Sequence, residues 1–547
     1  MSNPIVRVNV SQTQAPTPSK LQKTGALISQ GGTSLGVGAY ALLTGVDDLE
    51  DITPAALALT SITWSSAYGG QATATATVAH GITVGQAFVT TIAGAVPATY
   101  NGKVNAIATG TSTFTYYLAT NPGTSPATTP GTYTRNGVGE LESMATTFFG
   151  QPGSQLVYVL ELGNVATATA VASLADFITA SPQFFYSYLV PRAWDGNSTF
   201  LTFLAGFEAT DSKTYFFVTT NLQNKALYTD VMKDVIALVE APYYTTWASV
   251  AVSNATYSGG TATATAASHG ISPGMTFQLT GILPAGYNGT YIALPGTTGN
   301  SILYAVPSDP GSFVSAGTLV ARRYASAGVP AAEFSHASDF YVSLNYNPST
   351  TNKVTPFAFS FLYGVTAFPT QGNSALIQEL EAASVNYVGT GAEGGISGTI
   401  LFDGHTMDGR PFNYWYSVDW MAINVKQSLA NATINGSNNP INPLYYNQNG
   451  IDRLQQAAAA TAGNAVTFGL ALGKVLQVGL SGPDFSEQLD AGAYIGNIVI
   501  NAVPFTTYTA DNPSDYREGV YDGISITYPP ARGFESITVD INVTDFV

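Results

Sequence analysis

The residues of this chain best suited to acid–base chemistry lie in one short run, Asp403-Gly404-His405-Thr406-Met407-Asp408-Gly409. An imidazole flanked by carboxylates is what a hydrolytic base and its orienting partner need. The same doubled Asp/Gly spacing also builds a tight turn, since Asp hydrogen-bonds nearby backbone and Gly accepts positive φ. No G-x-S-x-G elbow, H-E-x-x-H pair, P-loop or calcium loop accompanies the run, so a turn is the expected reading. Gly389-Thr390-Gly391-Ala392-Glu393-Gly394 spells G-x-G-x-x-G after a strand-like Val385–Val388. A dinucleotide site needs a helix to open at that point. The chain instead runs on through Gly395, Gly398 and the strand-like Ile400, which predicts a loop. His80 and His269 each precede a glycine, where a turn or capping role is expected, and His336 stands alone. There is no cysteine, which removes thiolate chemistry and disulfides. No catalytic residue, cofactor or metal is expected, and the chain reads as a non-enzyme.

Composition narrows the partners. Of 547 residues, 45% are hydrophobic and only 10% charged, against roughly 25% charged in an average soluble protein. Such a surface is more simply explained if much of it is buried in an assembly. The net charge is −16, with 18 basic residues against 34 acidic. Arg322-Arg323 is the only adjacent basic pair, and phosphate binding needs clustered cations. Nucleic acid is therefore not expected as a partner, nor is a membrane anchor, because no apolar run reaches 18 residues. The N-terminal residues show no basic region followed by an apolar run, so no signal peptide is expected.

The elements that would position any site are organised around a duplication. "TATATVAHGITVGQAFVTTIAGAVPATYNG" ends at Gly102 and "TATATAASHGISPGMTFQLTGILPAGYNG" at Gly289. Thr/Ala alternation, Gly-rich turns and an Asn-Gly signal predict a small all-β module, carried twice as an Ig-like sandwich and hung outward from loops of a different core. Around the modules, strand and helix patterns alternate, as in an α/β layer. Strands are predicted over 156–160, 184–190 and 214–220, and helices over 165–178, 230–240, 374–383, 416–429 and 450–472. The β pattern returns at 497–503, 523–528 and 536–543. Val6, Val8 and Val10 share one face of an N-terminal strand, and Ile537, Val539, Ile541 and Val543 one face of a C-terminal strand. A lone strand with a bare edge must join a sheet, so these residues are candidates for pairing with neighbouring subunits as well as within their own core.

Several segments, in order, resemble the tail-sheath proteins of contractile-tailed bacteriophages. They include "FFYSYLVPRAWDG" and "FLAGFEATDSKTYFFVTTN" (184–221), "VNYVGTGAEGG" (385–395) and "GRPFNYWYSVDWMAINVKQSLANATI" (409–434). "NGIDRLQQAAAATAG" (449–463) and "GISITYPPARGFESITVDINV" complete the set, and Val418-Asp419-Trp420 is the most specific piece. The resemblance covers roughly residues 1–58, 136–245 and 324–547 and leaves the modules out.

What it implies is an α+β or α/β multidomain chain. The expected partition is an N-terminal arm (1–22), a discontinuous sheath-like core (23–59, 136–245 and 323–370), inserted modules at 60–135 and 246–322, a C-terminal α/β domain (371–530) and a C-terminal arm (531–547). It also implies a virion tail protein, made in the host cytoplasm, that forms hexameric rings with itself around the tail tube. Baseplate and tail terminator proteins would be further partners. Such a sheath contracts to drive the tube through the host envelope. The resemblance puts the tube-facing surface in the C-terminal domain, where Lys426 and Arg453 are among the few cations on the predicted helices. The competing expectations are a protein whose modules recognise glycans or host surface, and an enzyme built on Asp403, His405 and Asp408.

Overall fold

Apolar runs such as Val157-Tyr158-Val159-Leu160 and Val235-Ile236-Ala237-Leu238-Val239 are the pattern of strands covered on both faces, and they form the centre of the fold. The computed structural model describes residues 21–533 except 67–69, 83–86, 119, 136, 209–212, 222–223, 229–231, 241–243, 247–249, 268, 270, 272–275, 325–330, 369–373 and 391–397. Val6, Val8, Val10, Ile537, Val539, Ile541 and Val543 therefore lie outside the described residues.

In chain order, β1 (Gly25–Ser29) and β2 (Tyr40–Leu43) precede the first module. That module contains β3 (Leu57–Ser65), β4 (Gln71–Ala76), β5 (Ala87–Ala93), β6 (Gly102–Ala108), β7 (Thr113–Tyr117) and β8 (Thr132–Tyr133). The core resumes with helix α1 (Val138–Phe149), β9 (Val157–Glu161), α2 (Thr167–Ala180), β10 (Ser187–Leu189), α3 (Ser198–Glu208), β11 (Tyr215–Thr220) and β12 (Val235–Val239). The second module contains β13 (Tyr244–Thr246), β14 (Val250–Val252), β15 (Asn254–Ser258), β16 (Thr261–Thr265), β17 (Thr276–Thr280), β18 (Gly289–Ile292), β19 (Ser301–Ala305) and β20 (Gly317–Tyr324). After it come α4 (His336–Leu344), β21 (Phe361–Leu362), α5 (Ser374–Ala382), β22 (Asn386–Thr390), β23 (Thr399–Phe402), α6 (Phe412–Ser437), α7 (Gln448–Thr467), β24 (Val475–Val478), β25 (Ile498–Ala502) and β26 (Ile524–Thr527).

The central sheet has nine strands in the order β2-β9-β1-β10-β11-β12-β22-β23-β21. From β9 to β22 every pairing is parallel, and β2, β23 and β21 add antiparallel edges. Alternate residues feed opposite faces. Leu27, Val159, Phe217, Ile236 and Leu238 pack with α1, α4 and α6, while Ile28, Leu160, Phe216, Ala237 and Val239 pack with α2 and α3. This is a doubly wound sheet whose first strand lies between the second and third of its parallel set, so the chain reverses direction between β1 and β10. The helix expected over 230–240 is a strand. Val235–Val239 is buried at every residue between β11 and β22. A short apolar run has no period to separate helix from central strand.

The two modules share a pattern and differ in closure. In β4 and β16 the alanines point inward and the threonines outward. The first module closes as a barrel, β3-β4-β7-β6-β5-β8, where a two-sheet Ig-like sandwich was expected. Closure depends on β6 pairing with β7 through Ala106 opposite Tyr116. The second keeps two sheets, one holding β13, β14, β20, β17 and β18 and the other β15-β16-β19. The first barrel is also docked on the core, with Lys103 Nζ 2.9 Å from Glu142. A Cβ on Gly139 would meet the Val89 carbonyl oxygen at 2.4 Å. Ile107 and Tyr117 of the first module pack into the apolar cluster of the second.

The C-terminal part joins the same core. One cluster runs from Leu27 through Trp420 on α6 and Ala458 on α7 to Ile498 and Ile500 of a three-stranded sheet, β24-β25-β26. Gln455 Nε2 donates to the Val478 and Ile500 carbonyls, 2.8 Å each, and ties α7 to that sheet. Helix α6 runs over 412–437, longer than expected at both ends, while α7 runs over 448–467, starting two residues earlier and ending five sooner than expected.

Candidate functional site: the strand-end crevice and the small-sheet edge

The Asp403–Gly409 run forms a turn. Thr406 N–H donates to the Arg410 carbonyl at 2.9 Å, and Gly409 N–H to the Thr406 carbonyl at 3.0 Å. Both Asp408 oxygens are occupied, one by Thr406 Oγ1 (2.5 Å) and Arg410 N–H (3.1 Å), the other by Trp415 Nε1 (3.0 Å). Asp408 thus braces the start of α6, and His405 N–H is held by Asn386 Oδ1 at 2.8 Å. The glycine fingerprint lies on a hairpin, since Gly389 pairs with Ile400 and Thr390 with Thr399 in antiparallel register. A Cβ on Gly389 would sit 2.4 Å from the Phe402 ring, so that glycine serves packing; residues 391–397 are outside the described set. His80 and His269 are turn residues, as expected, their Nδ1 atoms accepting from Ile82 N–H (3.1 Å) and Ile271 N–H (3.0 Å). Burial lowers both imidazole pKa values, leaving the neutral acceptor that the turn needs.

A doubly wound sheet binds ligands beyond the carboxyl ends of its strands, at the switch point. Here that edge is filled by the protein's own carboxylates. Glu161, ending β9, is 1% exposed and accepts from Ser29, Gly31, Thr33 and Gly163. Asp195, after β10, accepts from Thr220, Asn221, Asn224 and Tyr228 at 2.9 to 3.0 Å. Burial pushes the Asp195 carboxyl up and those donors pull it back.

Arg192 clamps Glu240 bidentately, Nε at 2.7 Å and Nη2 at 2.8 Å, donates to the Glu333 carbonyl at 3.0 Å and lies over the Phe334 ring. Its backbone N–H donates to Glu140 at 3.1 Å. Burial raises the Glu140 carboxyl, and Arg192 works against that rise. Glu240 and Glu333 bracket the second module and Glu140 follows the first, so one guanidinium ties the roots of both insertions. No sequence motif announces this network. Its signal is only that charged residues sit at strand ends in a chain with few of them.

Sequence reading also missed His336. It is fully buried, with Nδ1 2.8 Å from Asp339 and Nε2 3.0 Å from the Ile236 carbonyl. Burial raises the Asp339 carboxyl and the imidazole opposes it. Among the described residues no cluster of three His, Cys, Asp or Glu could hold a metal, and no described helix is long and apolar enough to cross a membrane.

Three segments that carry the sheath resemblance meet at one buried point. Tyr186 and Tyr215 each donate to Asp419 Oδ2 at 2.9 Å, linking β11 and the start of β10 to α6. Burial lifts the Asp419 carboxyl to about 6 despite both donors. Beyond this joint, α6 and β26 flank a groove of ≈ 500 Å³ lined by Val418, Met421, Val425, Leu429, Ile526 and Tyr528, and Lys426 also lines it. Strand β25 is buried throughout, while β24 and β26 flank it partly exposed. Arg453 is turned inward to the α6–α7 connection, donating to the Pro443 carbonyl at 3.1 Å and to Asn442 at 3.4 Å.

No protein-family model matches the chain, and no curated protein matches it in sequence. Among solved structures, its fold is similar to two from the anti-feeding prophage. One is the six-fold symmetrised baseplate of the anti-feeding prophage, at 12% identity and a TM-score of 0.39 over 74% of this chain and 80% of that one. The other is the contracted helical sheath of the anti-feeding prophage, at 10% identity and a TM-score of 0.39 over the whole of both chains.

Proposed function

We propose that this chain is the structural subunit of a contractile tail sheath, located in a phage tail, and that it has no enzymatic activity. The observation that carries the reading is the Asp419 joint. The stretches at 184–221 and 409–434, both of which carry the resemblance, supply Tyr186, Tyr215 and Asp419 to one buried contact. Segments that meet in space are what a shared architecture requires.

In the proposed assembly, subunits form stacked hexameric rings around a tail tube, bounded by baseplate and terminator proteins. Contraction would widen the lattice and drive the tube through the host envelope. The two lattices must differ in free energy for a trigger to release motion. Strands carrying Val6, Val8 and Val10, or Ile537, Val539, Ile541 and Val543, would add to the three-stranded sheet of a neighbour. The apolar groove beside β26 suits an arriving strand with one Ile/Val face. Lys426 remains the proposed tube contact. Arg453, committed to its own chain, takes a supporting part.

Negative-stain microscopy of the purified protein tests the reading. Hollow tubes of uniform diameter are expected, and a monomer at every concentration and salt would refute it. A second reading, host-surface binding by the modules, is favoured by one observation: equivalent loops expose Val96 and Leu283, each at 51%. Retention of the intact chain on host cells, lost on Val96→Asp with Leu283→Asp, would support that role.

A further inference from the structure

The loop after β1 reads Gln30-Gly31-Gly32-Thr33, a glycine-rich turn at the switch point of a doubly wound sheet, where such folds cradle anionic ligands on backbone N–H groups. Gly31 has φ +81, and a Cβ there would meet Asn164 at 2.6 Å. The turn is therefore built for glycine and aims its amides into the crevice. Five donors converge there. Gly31 N–H (2.8 Å) and Gly163 N–H (2.6 Å) point at Glu161 Oε1. Thr33 N–H (3.0 Å), Thr33 Oγ1 (2.7 Å) and Ser29 Oγ (2.7 Å) point at Oε2. No cation takes part in this set, so the charge is held by neutral dipoles alone, as a bound oxyanion would be. Trp194, fully buried, closes the loop by donating from Nε1 to Gln30 Oε1 at 2.8 Å.

We propose that Glu161 is the resident occupant of an oxyanion nest at the carboxyl ends of β1 and β9, beside the switch point, and that the core is closed to small anionic ligands there because its own carboxylate fills the place. Removing that carboxylate converts the crevice into a binding site for a free small oxyanion, of the formate or inorganic phosphate class. This inference rests on the sheet order and the five donors, and holds whether or not the chain is a sheath subunit.

The test compares full-length wild type, Glu161→Ala and Glu161→Gln by thermal melting, in chloride buffer and with rising formate or inorganic phosphate at constant ionic strength. The wild-type midpoint is expected to stay where chloride leaves it. Glu161→Ala starts lower and recovers by ~3 °C or more in a saturable way. A response to formate alone means a nest the size of the lost carboxylate, and a response to both means one that also admits phosphate; either supports the proposal. Glu161→Gln still fills the space and should respond to neither. A folded Glu161→Ala indifferent to both anions overturns the proposal, as does equal stabilisation of wild type or of Glu161→Gln. If Glu161→Ala is recovered only as aggregate, refolding decides. A soluble yield rescued by formate supports the nest, and equal loss with and without formate overturns it.

Discussion

The carboxyl edge of the nine-stranded sheet and the flanks of the three-stranded sheet treat their polar groups in opposite ways. At the first, Glu161, Asp195 and Glu240 receive internal donors, and a guanidinium neutralises the last of them. At the second, a fully buried β25 is flanked by partly exposed β24 and β26, with an apolar groove alongside. Carboxylates already held by internal donors offer nothing to a ligand. A strand with a free backbone edge offers a ladder to another chain. On the proposed reading, this difference suits a protein that receives a strand from another subunit.

The largest effect should come from removing what the open flank is proposed to receive. Deleting residues 534–547 is expected to leave a soluble chain with an unchanged melting midpoint that forms no tubes. Tubes from the truncated chain would dissolve the contrast between the two regions.

The sealed edge breaks next. Arg192→Met leaves Glu240, whose side chain is 6% exposed, without its cation, and an unpaired buried carboxylate costs roughly 3–5 kcal/mol. Urea unfolding should register a loss near the lower figure, because Arg192 itself keeps 17% exposure. Adding Glu240→Gln should restore part of it. A loss below about 1 kcal/mol would mean the clamp contributes no more than a surface pair.

Between the two regions stands Asp419, and its effect is one of pH. Burial lifts its folded pKa to about 6 from an ordinary 3.8, so the folded chain holds the proton more tightly than the unfolded one. This contribution is fully favourable below the unfolded pKa, declines as pH rises from about 4 to about 6, and is flat above. The span is at most about 3 kcal/mol. Asp419→Asn should remove that slope from urea titrations across the window while the chain stays folded. A slope unchanged by the substitution would assign the titration elsewhere.

The smallest effect is expected at the groove rim. Lys426→Glu should leave the midpoint unchanged and weaken assembly on purified tube protein. Arg453→Glu should instead cost about 1 kcal/mol by releasing the Pro443 and Asn442 carbonyls. Equal assembly by Lys426→Glu would take that residue out of the tube contact.

Legibility followed periodicity and local turn chemistry. Thr/Ala alternation exposed both modules, and the histidine before Ile82 and Ile271 proved a turn acceptor because its partner lies two residues away. Val235–Val239 was misread because burial on both faces erases the period. Barrel closure was invisible, since it turns on whether β6 meets β7 across a loop, which both copies allow and only one realises. The carboxylate network was invisible too, because Arg192, Glu240 and Glu333 are far apart in sequence and carry no spacing rule.

The most direct test is a cryo-EM reconstruction of the tubes at a resolution that separates strands. The account predicts a fourth strand, contributed by a neighbouring subunit, hydrogen-bonded to β24 or β26. Tubes in which the three-stranded sheet keeps both outer strands unpaired, with subunits held by other surfaces, would contradict it.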